Sequence, residues 1–183
     1  MIINSSKLII VFVDIQEKLT YKIFDYKKII DYVLKVIDIA KSFKIPVVLT
    51  EQYPKGLGKT ILKITESLNE LDLKKIEKTT FSCQASNDFR KHLKRKKRSQ
   101  VLICGIETHI CILQTVHDLI KSKYNVFILD EATGSRKLID KELGIKRLKQ
   151  MGSSLINFEM LLFELIRDSK NPNFKNLSKL IDK

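Results

Sequence analysis

Short unbroken apolar runs alternate along this chain with longer amphipathic stretches, and that alternation limits the folds open to it more than any other feature. Leu8-Ile9-Ile10-Val11-Phe12-Val13 is six apolar residues without interruption, the pattern of a strand covered on both faces. Over residues 25–43, Tyr26, Ile29, Ile30, Val33, Ile37 and Ala40 recur at three- and four-residue spacing, which predicts a helix with one apolar stripe. Residues 46–49, 101–104 and 126–129 read as further strands, as does the short segment Lys75-Ile76-Glu77 that ends at Lys78, and residues 153–158 read as a weaker last one. Between them, residues 86–97, 108–123, 137–151 and 159–167 read as helices. Strands joined through helices of this length form βαβ units, so the expectation is a mostly parallel sheet with helices on both faces.

The 183 residues fit one domain. Residues 1–170 are read as that domain and residues 171–183 as a polar, Asn/Lys-rich tail that packs loosely. No apolar run approaches the ~18 residues of a membrane helix. The first residues lack the basic start and cleavage site of a secretory signal, so a cytoplasmic location is expected. Three cysteines, Cys83, Cys104 and Cys111, form no spaced framework and read as thiols. The charge is 34 − 21 = +13, and only six of the 34 cations are Arg. Lysine spread over the whole chain differs from the concentrated, Arg-rich surface of a nucleic-acid reader.

Parallel sheets bind ligands beyond the carboxyl ends of their strands, so the residues following each apolar run carry the functional signal. Gly58-Lys59-Thr60 looks like the end of a phosphate loop, but Tyr53 stands where the first glycine is required. Nothing glycine-rich follows the first strand, where Asp14-Ile15-Gln16-Glu17 stands, so a dinucleotide is not expected. His92, His109 and His117 lack metal-ligand spacing. Lys91-His92-Leu93-Lys94-Arg95-Lys96-Lys97-Arg98 is the one dense basic run; without interleaved aromatics it reads as a solvated helix face.

Cys111 lies in the first helical turn after the strand at 101–104. Free amides and the helix dipole there favour thiolate, so a lowered pKa is expected, and the same amides could hold an oxyanion. Asp14 terminates a wholly apolar strand, where a carboxylate is costly unless paired or working as a base. Lys78 ends its own strand and could supply the cation beside the thiol. Topology directs all three to one edge of the sheet. Cys104, inside an apolar strand, reads as inert, and Cys83 as a neighbour of the site.

Val13-Asp14-Ile15-Gln16, Lys78-Thr79-Thr80-Phe81-Ser82 and Gly105-Ile106-Glu107-Thr108-His109-Ile110-Cys111-Ile112-Leu113-Gln114-Thr115 resemble, in order and spacing over residues 6–166, the isochorismatase-like cysteine hydrolases. The resemblance implies a three-layer α/β/α, Rossmann-like fold with a six-stranded, mostly parallel sheet. It implies an Asp14-Lys78-Cys111 triad and a cis peptide between Ile106 and Glu107, which turns the backbone amides of Glu107 and Cys111 toward an oxyanion. The implied reaction is hydrolysis of a small amide or related molecule through a thioester, without a cofactor. Gln16, Gln52, Tyr53 and Phe81 are the pocket candidates; Asp130, Ser135 and Arg136 are read as fixing the loop after the fifth strand, or a subunit contact. Nicotinamidases of the metal-binding type carry an Asp-x-His pair after the second strand. The loop Thr50-Glu51-Gln52-Tyr53-Pro54-Lys55-Gly56-Leu57-Gly58 has no histidine, so no metal is expected. Relatives of this kind assemble through helices flanking the site, which implies a homo-oligomer. The competing expectations are an idle family member acting as a scaffold and a basic-patch nucleic-acid binder.

Overall fold

The structure, a computed structural model, describes residues 1–181. In chain order its elements are β1 (Leu8–Val13), α1 (Glu17–Thr20), α2 (Tyr26–Ser42), β2 (Val47–Gln52), α3 (Pro54–Leu57), α4 (Leu62–Ser67), β3 (Leu73–Lys78), α5 (Asn87–Lys96), β4 (Gln100–Ile106), α6 (Leu113–Lys121), β5 (Asn125–Gly134), α7 (Leu138–Gln150), β6 (Ser154–Ile156), α8 (Phe158–Ile166) and α9 (Phe174–Leu177). A 3-10 turn over Cys83–Ala85 precedes α5, and a π-helical turn over Thr108–Ile112 precedes α6.

The six strands form one sheet in the order β3-β2-β1-β4-β5-β6, every pairing parallel. Strand residues point alternately to the two faces, and the apolar run of β1 supplies both. Leu8, Ile10 and Phe12 enter a core with Ile29, Val33 and Ile37 of α2 and Leu161, Leu162 and Leu165 of α8. Ile9, Val11 and Val13 enter a second core with Phe89 and Leu93 of α5, Val116 and Leu119 of α6, and Leu148 of α7. The result is the three-layer α/β/α arrangement that the alternation predicts.

Three expectations are corrected. β5 runs to Gly134 instead of stopping at residue 129, because its register against β4 shifts between Ile103 and Gly105 and pairing resumes at Thr133 and Gly134. Asp130 therefore lies inside the strand. The tail does not pack loosely: it folds back as α9, Leu177 is buried in the first core, and Phe174, Leu180 and Ile181 pack against it. The packed unit thus continues past residue 170, while Asp182 and Lys183 lie outside the described residues. Finally, the helix holding Cys111 opens with the π turn instead of an α turn.

Candidate active site

The strand order reverses direction between β1 and β4, which makes the crevice beyond their carboxyl ends the natural ligand position of such a sheet. Asp14 follows β1 immediately and takes a left-handed conformation, φ +52°, which Asp tolerates better than most residues. Its amide donates to the Thr50 carbonyl at 3.2 Å. On the other side of the crevice, Gly105 of β4 has φ +120°, and a Cβ there would lie 2.2 Å from the Val13 carbonyl oxygen. Only glycine allows β4 to pass the end of β1 this closely. The Ile106–Glu107 peptide bond is cis, and the π turn carrying Cys111 follows.

Asp14 is fully buried, and the side chain of Lys78 is 1% exposed. β2 separates their strands, so Lys78 reaches across the end of β2 to meet its partner. Lys78 Nζ donates to Asp14 Oδ2 at 2.7 Å, to Gln52 Oε1 at 2.7 Å and to the Thr80 carbonyl at 3.2 Å. An ammonium has three hydrogens, and each has a protein acceptor. Burial disfavours the charged ammonium, but Asp14 foremost, with Cys83 and Cys111 behind it, outweighs that and holds the Lys78 pKa above its ordinary value.

Cys111 has Asp14, Lys78 and Cys83 as its titratable neighbours. Burial, and then the Asp14 carboxylate, push its pKa far up, against the pull of Lys78. This corrects the expectation of a lowered pKa: the dipole of one short turn does not offset desolvation beside a carboxylate. Cys111 is nevertheless the least buried of the three thiols, 7% exposed against 0% for Cys83 and Cys104.

A family described as Isochorismatase domain matches residues 8–160. The chain belongs to the isochorismatase family. It is 36% identical over 176 residues to Isochorismatase family protein 1A of Dictyostelium discoideum, covering 95% of this chain and 84% of that one. It is similar to the solved structure of MAR1 ribonuclease from Caenorhabditis elegans, with a TM-score of 0.93 and 35% identity over all of this chain and 93% of that one. The Escherichia coli YcaC gene product, described as an octameric hydrolase of unknown specificity, shares the fold with a TM-score of 0.86 at 23% identity, covering 99% of this chain and 96% of that one.

In this isochorismatase-family chain a second set of bonds fixes the loops around the crevice. Arg136 donates from its backbone N and from Nε to Glu107 Oε2, at 3.1 and 3.0 Å. His109 Nδ1 lies 2.9 Å from Ser135 Oγ. Ser82 Oγ donates to Asp118 Oδ2 at 2.6 Å, and the Cys83 amide to Thr115 Oγ1 at 2.9 Å. Ser135 and Arg136 thus clamp the loop after β5 onto the turn that carries Cys111. Asp130 has no part in this; it meets Lys141 instead. His92 and His117 stand apart on α5 and α6, the latter beside Asp118.

A cleft of about 460 Å³ opens beside the ion pair, lined by Tyr53, Pro54, Glu77, Lys78, Thr80 and Ser86 among others. Of the pocket candidates, Tyr53 lines it, and Phe81 is exposed on the following loop. Gln16 and Gln52 are not among the residues that line this cleft, and their amides are bonded to the protein, which for Gln16 fits an ordering or structural role. Gln16 donates to the carbonyls of Gln52 and Gly58 and accepts from the Gln52 amide. Gln52 donates to the Thr79 carbonyl while accepting from Lys78. Sequence reasoning missed Glu51, whose buried carboxylate accepts from the Thr60 amide and hydroxyl and pairs with Lys75 beneath the same loop. It also missed Thr50, which donates to Asp14 Oδ1 at 2.7 Å. The only signal for either was a polar residue continuing an apolar strand.

Proposed function

We propose that this chain is a cysteine hydrolase that cleaves a small amide or related molecule through a thioester, with Asp14, Lys78 and Cys111 as its triad. The observation that carries this reading is the buried, fully hydrogen-bonded Asp14–Lys78 pair standing beside the most accessible thiol of the chain. Asp14 accepts the Cys111 proton as sulfur attacks the carbonyl carbon, and Lys78 offsets the resulting negative charge. The backbone amides of Glu107 and Cys111 receive the oxyanion. Collapse expels ammonia or an amine, which takes the proton back from Asp14. Asp14 then draws a proton from water, whose oxygen attacks the thioester and releases the acid and the free thiol.

The chain is proposed to work in the cytoplasm and as a homo-oligomer. Exposed Leu138, Ile139 and Leu143 on α7 support assembly, as does the octamer described for YcaC. No described helix is long and apolar enough to cross a membrane.

Iodoacetamide at neutral pH, followed by peptide mass spectrometry, tests the site. Cys111 is expected to be alkylated well ahead of Cys83 and Cys104, and incubation with a metabolite extract to leave an acyl adduct on Cys111 that Cys111→Ala abolishes while the fold is kept. Equal, slow labelling of all three would favour a non-catalytic scaffold. A second reading, with RNA as substrate, draws on the ribonuclease name of the similar C. elegans structure and on the basic face of α5. RNA cleavage that survives Cys111→Ala, together with steeply salt-dependent retention on RNA, would favour it.

A further inference from the structure

Thr50 of β2 is in register with Val13, next to Asp14, and is wholly buried. Its carbonyl accepts the Asp14 amide and its hydroxyl donates to Asp14 Oδ1. The carboxylate is therefore held on both oxygens, by a neutral donor on Oδ1 and by the Lys78 ammonium on Oδ2. A hydroxyl has one hydrogen and two lone pairs, so its direction depends on what approaches from behind. Here that is the Cys83 thiol, which donates to Thr50 Oγ1 at 3.8 Å and is itself anchored through its amide to Thr115. With Cys83 donating inward, the Thr50 hydrogen points at the carboxylate.

We propose that Thr50 is a positioning residue for the general base, acting through Asp14 and oriented by Cys83. This rests on the cysteine-hydrolase reading and deepens it. The titratable groups facing Asp14 are Lys78 at the end of β3, Cys83 in the 3-10 turn and Cys111 in the π turn. Lys78 sets the charge balance of the carboxylate, while Thr50 sets its plane. Without the Thr50 hydrogen bond the carboxylate can turn out of line with Cys111, and the reaction of Cys111 slows.

The test is the rate of Cys111 alkylation by iodoacetamide at neutral pH, followed by peptide mass spectrometry, in the wild-type chain, Thr50→Val and Thr50→Ser. Valine keeps shape and strand preference while removing the donor; serine keeps the donor. The rate is expected to fall about tenfold in Thr50→Val and to stay within roughly twofold of wild type in Thr50→Ser. An unchanged rate in Thr50→Val overturns the proposal, as does an equal slowing in Thr50→Ser, which keeps the donor. If Thr50→Val does not fold, Cys83→Ala removes the orienting thiol; a smaller slowing in the same direction supports the role, and none overturns it. A wild-type Cys111 that labels no faster than Cys83 and Cys104 sinks the hydrolase reading itself, and the Thr50 role with it.

Discussion

At the scale of residues, the Asp14–Lys78 pair shows how a strand end becomes a site. Removing one member leaves the other charged in a dry interior, so Lys78→Met is expected to cost about 3–5 kcal/mol, measurable as a lower denaturant midpoint. Because the Lys78 pKa is raised on folding, the stability it contributes is fully present below its unfolded value near 10.5. It is lost only as pH rises through the higher folded value. The wild-type contribution is therefore constant through neutral pH, and a midpoint that moved with Lys78 titration near neutrality would contradict this pairing. Asp14 stood out because it directly follows an apolar run and Cys111 because it opens a helix, whereas Lys78 ends a strand that is mostly charged and drew attention only through its place at a strand end. The roles of Thr50 and Gln52 were not legible, since nothing in their spacing says which atoms their side chains meet. The direction of the Cys111 shift was misread for a related reason: burial depends on the whole fold, whereas a helix dipole can be inferred locally.

Among the elements, β4 and the turn after it bear most of the geometry. Gly105→Ala would place a methyl group against the Val13 carbonyl at a φ that L residues avoid. We expect it to destabilise the chain by more than about 1 kcal/mol and to slow Cys111 alkylation, because the turn carrying the thiol would shift with the strand. Equilibrium unfolding and the labelling rate check the two effects separately. β1 and α2 could be read from apolar periodicity alone. The second half of β5 could not: Glu131-Ala132-Thr133-Gly134 looks like a turn, and only pairing with β4 across the register shift makes it a strand. The π turn was equally hidden, because five residues are too few to show a period of their own.

For the molecule as a whole, the parallel three-layer order followed from runs too apolar to face water on either side. The edges of the sheet were harder. β3 buries only Ile76 and Lys78, and its exposed Lys74 and Lys75 match the charged edges by which sheets avoid pairing with other chains. Assembly is expected to use the other flank instead. Replacing Leu138, Ile139 and Leu143 together with Ser should lower the mass seen in sedimentation without lowering the unfolding midpoint of the protomer; an unchanged mass would place the contact elsewhere.

The saturated ammonium of Lys78 also bears on how this protein can be labelled. An aldehyde or activated ester needs an amine with a free lone pair and an open approach. Lys78 offers neither, being protonated, enclosed and turned toward three protein oxygens. In a chain with 28 lysines, amine-directed reagents would decorate the outer surface, including the exposed Lys55 that lines the cleft, and leave Lys78 untouched. Soft, sulfur-seeking electrophiles would be directed to the thiol instead, so the choice of warhead separates Cys111 from the buried amine beside it.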